Sequence, residues 1–180
     1  MRYAVIARAP VLNATVKSID DTKARAIDGV LDVFEIEGPA VGEPFTFGGY
    51  TAHAIEVTVK NGELVIERIV AAIDCGLAVH PNAVEAQLQG GTIDGLSTAL
   101  GLEITLKNGQ IQQSNFHDYP LARIAAFPRL FEAHILPFDD VPTGVGEIGL
   151  PSAAPALVNA IFAASGTRIR NLPVRGQLSR

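Results

Sequence analysis

The sequence predicts an α+β fold, in which a small β-α-β unit is followed by a mixed sheet with hairpins and two packed helices. Three observations carry this reading. Apolar and polar residues alternate on either side of Asn61-Gly62 and again around Asn108-Gly109, which is the pattern of tight hairpins. Apolar residues recur at helical spacing after Pro81 and after Ser152. Near the start, two strand-like runs flank a short stretch with helix start and stop signals.

The first run is Tyr3–Arg8, closed by Pro10, and the second is Val30–Ile36. Between them Asp20 or Asp21 can cap a helix through Thr22–Ile27 that stops at Asp28-Gly29. A Gly/Pro-rich stretch from Gly38 to Gly49 reads as a connection. The expected organisation is therefore residues 1–37 as one segment, 38–49 as the connection and 50–180 as the main domain.

In the main domain, Ile55, Val57 and Val59 alternate with Glu56, Thr58 and Lys60, and Leu64–Val70 returns after the turn. The pattern repeats at Ile104–Lys107 and Gln110–Gln112. The shared Lys-Asn-Gly is common turn chemistry rather than a duplicated domain. Pro81 suits the first turn of a helix whose apolar positions are Val84, Leu88, Leu96, Ala99 and Leu100. That helix carries Gly90, Gly91 and Gly95. Each interior glycine costs about 1 kcal/mol relative to alanine, so their clustering predicts close approach to another backbone or to a ligand. The last helix begins near Ser152, with Ala153, Ala156, Leu157, Ala160, Ile161 and Ala164 inward and Gly166 as its stop.

Composition narrows the functional classes. The 180 residues carry 14 Lys+Arg against 19 Asp+Glu, a net charge of −5, with basic residues scattered rather than clustered. A nucleic-acid footprint is not expected from such a chain. Apolar runs are broken well before the roughly 20 residues of a membrane span, and no signal segment is evident, so the expected compartment is the cytoplasm. A single cysteine, Cys75, cannot ligate an iron–sulfur cluster or build a cysteine zinc site within one copy.

The most informative loop is Pro142–Pro151, which presents Glu147 among Gly144, Gly146 and Gly149 just before a helix start. Two readings stand: a surface turn with a solvated carboxylate, or a general base made more basic by Val145, Ile148 and Leu150. His53, His80, His117 and His134 show no short metal-binding spacing and read as ordinary structural or surface histidines, so no protein-ligated metal is expected. Cys75 reads as a buried, inert thiol and Asp74 as a turn residue. No serine stands in a Gly-x-Ser-x-Gly elbow.

The ordered set Ile73-Asp74-Cys75-Gly76, His80-Pro81, Gln87, Gly90-Gly91, Gly95, Gln113–Pro120 and Gly144-Val145-Gly146-Glu147 with Pro151 resembles one family. It is similar to the C-terminal part of the molybdenum-cofactor-binding subunit of the xanthine oxidase family, in particular the isoquinoline 1-oxidoreductase branch. Ala7–Pro10, Val16–Ser18 and Gly29-Val30 resemble the small hammerhead domain of the same subunits. The resemblance implies that Glu147 is the catalytic base beside the molybdenum. It also implies that Gln87, Gly90, Gly91, Gly144 and Gly146 approach a molybdopterin, in its cytosine dinucleotide form. The implied reaction is oxidation of a small aldehyde or nitrogen heterocycle with water as the oxygen source, electrons leaving through a separate [2Fe–2S] subunit. Some relatives are periplasmic. Family members are several times longer, and the large middle portion between the two matching blocks is absent here. The alternative expectation is a non-catalytic remnant that forms homo-oligomers or binds a partner through surface the lost portion once covered.

Overall fold

The computed structural model describes Thr22 and residues 48–178 other than 138. Thr22 is helical, as the sequence reading has it. The rest of the expected β-α-β unit over 1–37, and the connection 38–49 apart from Gly48 and Gly49, lie outside the described residues.

Strand β1 (Tyr50–Lys60) and strand β2 (Glu63–Asp74) run antiparallel. They turn through Asn61 and Gly62 at φ of 53° and 80°, the positive values that the Asn-Gly pair accepts. Both strands are longer than the alternation predicts, because the pairing runs from Lys60↔Glu63 back to Tyr50↔Asp74. The register slips between Glu56 and Val57: Glu56 faces Arg68 and Val57 faces Ile66, leaving Glu67 as the extra residue of a bulge. That bulge explains the apolar spacing of β2. Ile66 is out of phase with Ile69, Ala71 and Ile73 by sequence, yet all four are buried.

After β2 the chain enters helix α1 (Pro81–Gly101), then a two-residue hairpin of β3 (Leu106–Lys107) and β4 (Gln110–Ile111). It returns as β5 (Leu130–Ile135), which pairs parallel with β2 from Arg68↔Leu130 to Ile73↔Ile135. Arg68 and Glu132 form an ion pair across these two strands. The sheet order is β1-β2-β5. Helix α2 (Leu150–Ser165) closes the unit, stopping at Gly166 with φ of 73°.

The core joins the inward residues of β2 to Val84, Leu88, Leu96 and Ala99 of α1 and to Ala153, Leu157 and Ile161 of α2. The expected inward stripe of α2 is correct at those three positions, Ala156 and Ala160 are half-buried, and Ala164, in the last turn, is exposed. The His80 side chain caps α1, its Nδ1 accepting from the Ala83 N–H at 3.2 Å. Asp74 fixes the turn after β2, its Oδ1 accepting from the Gly76 N–H at 3.1 Å. Cys75 is buried, 2% exposed, and burial pushes its thiol up, with the Asp74 carboxylate adding to the effect.

Candidate functional site

Helix α1 and the turn that starts α2 meet backbone to backbone. A Cβ placed on Gly95 would lie 2.5 Å from the Leu150 carbonyl oxygen, and one on Gly149 would lie 2.7 Å from the Leu88 carbonyl oxygen. No side chain fits between them. The close approach predicted for the helix glycines is thus made, at Gly91 and Gly95, to another element of the chain. Gly90 differs, since nothing lies within 4 Å of a Cβ built there, and the same holds for Gly146.

This seam positions Glu147. The Leu150 N–H donates to the Glu147 carbonyl at 3.0 Å, closing a turn whose Ile148 side chain is buried in the core. Glu147 itself is exposed, as are Gly144 and Gly146. Of the two readings open from the sequence, the described residues show the solvated carboxylate and not its enclosure by apolar neighbours: Ile148 points into the core, and Val145 and Leu150 are only half-buried. Gln87, also exposed, precedes Gly91 by one helical turn and so shares the flank of α1 that lies on the Glu147–Leu150 turn. Gln87 thus lies one turn along α1 from the contact of Gly91 with Gly149 and Leu150, which follow Glu147 by two and three residues, and the backbone is open at Gly90 and Gly146.

Under the seam lies a polar network that the sequence reading missed, because it started β1 at Ile55 and set His53 among ordinary histidines. Thr51 and His53 continue the inward alternation of Ile55, and two polar residues in that phase were the available signal. The Thr51 hydroxyl donates to the Ile148 carbonyl at 2.8 Å and lies 2.8 Å from the Ser152 hydroxyl. His53 Nδ1 is 2.9 Å from Ser152 Oγ, and its Nε2 is 2.7 Å from Thr92 Oγ1. Thr92 in turn donates to the Leu88 carbonyl at 2.6 Å. With the Thr92 proton committed there, the ring must donate from Nε2 and accept at Nδ1 from Ser152. Burial lowers the His53 pKa to about 4, so the ring is neutral near pH 7.

The loop Gln113–Pro120 is organised by Asp118, whose carboxylate accepts from the N–H groups of Ser114 and Asn115 at 2.9–3.0 Å. It leaves Phe116 exposed. Among the described residues no three His, Cys, Asp or Glu side chains stand where they could hold a metal, and no helix is long and apolar enough to cross a membrane.

A family model for the molybdopterin cofactor-binding domain matches residues 18–128. The isoquinoline 1-oxidoreductase subunit beta of Brevundimonas diminuta is 34% identical over 170 residues, covering 92% of this chain and 21% of the relative. Among solved structures, the aldehyde oxidoreductase from Desulfovibrio gigas superposes with a TM-score of 0.61 at 27% identity, over 69% of this chain and 14% of that one. Quinoline 2-oxidoreductase from Pseudomonas putida 86 superposes with a TM-score of 0.54 at 26% identity, over 62% of this chain and 15% of its own. The chain spans about a fifth of the length of the Brevundimonas relative, at 21%. The family model ends before the Glu147 turn, whereas the alignment with that relative is long enough to include it.

Proposed function

The chain belongs to the molybdenum-cofactor-binding subunits of the xanthine oxidase family, and from that premise we propose that its Gln87–Glu147 edge is one wall of a molybdopterin site, with Glu147 as general base. The observation that carries the reading is the glycine seam, which sets the Gln87 flank of α1 against the turn bearing Glu147. The residues present suit such a group. The Gln87 amide offers both donors and an acceptor, and open backbone at Gly90 and Gly146 leaves room for close approach. Gly144 and Gly146 keep the loop free of side chains beside the carboxylate.

When bound, the cofactor supplies the two-electron oxidation of a carbon centre in an aldehyde or nitrogen heterocycle, the oxygen coming from water. This chain's part is to hold and to deprotonate. Gln87 and the glycine backbones orient the pterin, in its cytosine dinucleotide form. The Glu147 carboxylate takes the proton released as the new carbon–oxygen bond forms, a role that carries about 10²–10⁴-fold in rate. Water must be kept from that carboxylate, which is exposed among the described residues, so its cover is left to the bound cofactor and substrate and to residues outside the described ones. A [2Fe–2S] partner subunit would take up the electrons, because the single cysteine of these 180 residues cannot ligate a cluster. The cytoplasm is the compartment we assign.

Glu147→Gln keeps the size and polarity of the side chain and removes its basicity. In the molybdenum-loaded protein it should lower turnover of an aldehyde or nitrogen heterocycle at least about a hundredfold while leaving the metal content unchanged. Undiminished turnover would remove Glu147 from the chemistry.

A second reading has support in the exposed apolar side chains Val79, Leu106, Ile111, Phe116, Ile124 and Val141. Leu106 and Ile111 pair across the small hairpin with both side chains exposed, which a free-standing hairpin does not favour. In that reading the chain is an oligomerising or partner-binding module without catalysis. Molybdenum content separates the two.

A further inference from the structure

The seam between α1 and the Glu147 turn is held from beneath by hydroxyl groups that reach one backbone carbonyl on each side. Thr92 donates to the carbonyl of Leu88, the residue after Gln87. Thr51 donates to the carbonyl of Ile148, the residue after Glu147. Between these two hydroxyls stand only His53 and Ser152, linked to each other at 2.9 Å and to Thr92 and Thr51 at 2.7 and 2.8 Å. We propose that Thr51, Ser152, His53 and Thr92 form a positioning clamp that fixes Gln87 relative to Glu147 by holding the Leu88 and Ile148 carbonyls on either side of the seam.

The chemistry of the four side chains favours a rigid setting. Each hydroxyl has one proton: Thr51 and Thr92 give theirs to main-chain carbonyls, and Ser152 gives its own to His53 Nδ1. The 2.8 Å Thr51–Ser152 contact therefore has no proton of its own, and the two sides of the seam are tied to β1 separately, Ile148 through Thr51 and α1 through His53. The neutral ring donates through Nε2 and accepts at Nδ1, so it passes the constraint from α1 to Ser152 at the start of α2 without a free rotor at its centre. Thr51 and His53 sit on one face of β1, the element against which α2 packs, so the reference frame of the clamp is the sheet. All four are positioning residues that act through the two held carbonyls.

The inference rests on the reading of Gln87 and Glu147 as site residues, but its test needs neither metal nor turnover. Amide hydrogen exchange in the full chain, followed by NMR, reads the clamp at the Leu150 N–H, which bonds to the Glu147 carbonyl. Thr51→Val keeps the shape and removes the hydroxyl. It should speed exchange at Leu150 about tenfold while leaving Ile69 and Ala71 in β2 within twofold of the parent. Thr51→Ser restores the hydroxyl and should restore Leu150 protection to within about twofold. Unchanged exchange at Leu150 in Thr51→Val would overturn the clamp. So would equal acceleration at Ile69 and Ala71, or failure of Thr51→Ser to recover protection. A chain with the clamp but without molybdenum would refute the cofactor reading alone, and one with molybdenum and no effect at Leu150 would refute the clamp alone.

Discussion

Gly95→Ala is expected to destabilise the described unit by about 2–3 kcal/mol, even though alanine is the better helix former. The added methyl would lie 2.5 Å from the Leu150 carbonyl oxygen and 3.0 Å from the Ala153 Cβ. Neither neighbour is the flexible end of a side chain, so the two helices must move apart. Helix propensity returns about 1 kcal/mol, which is smaller than the overpacking cost of a buried seam. Gly90→Ala provides the contrast, because nothing lies within 4 Å of its Cβ. There the propensity gain stands alone, and stabilisation of up to about 1 kcal/mol is expected. Urea denaturation of the two variants checks the pair, and equal stabilities would mean that α1 and the Glu147 turn do not meet as described.

Acidification from pH 7 to 4 is the second large effect. His53 titrates at about 4 in the fold against 6.5 when free, so between those values the unfolded chain binds the extra proton and the folded chain does not. The His53 contribution is therefore full above about pH 6.5 and is lost as the pH falls toward 4. It amounts to at most about 3 kcal/mol, since the Ser152 and Thr92 oxygens are placed to accept from a protonated ring and offset part of the desolvation. Asp118 does not confuse the window. The N–H groups of Asn115 and Ser114 hold its carboxyl below the usual range, so its own effect falls at lower pH. Stability measured at pH 7, 5.5 and 4 should slope downward in the parent and flatten in His53→Gln. The same slope in both would show that His53 is not the buried titrating group.

Much of this was legible in the residues because it rests on local rules. The Asn-Gly turns, the Pro81 and Gly166 helix limits and the apolar stripes of both helices follow from backbone preference and burial alone. The glycine cluster of α1 announced a close approach, but periodicity could not tell backbone from ligand. The structure divides the cluster: Gly91 and Gly95 face the Glu147 turn, while Gly90 is open. The polar network was hidden because its members are separated by up to 101 positions, and no local rule joins Thr51 to Ser152. The exposure of Glu147 matches one of the two readings open from the sequence, a surface turn with a solvated carboxylate, and spacing alone could not choose between them. The apolar neighbours supported the other reading, enclosure, but the turn geometry sends Ile148 into the core and leaves the carboxylate outside.

The central claim is that this edge belongs to a molybdenum centre, and elemental analysis of protein purified from a host that makes molybdopterin tests it most directly. The account predicts molybdenum approaching one atom per chain, retained in Glu147→Gln. Protein that is folded, keeps the Leu150 amide protected and carries no molybdenum would contradict it.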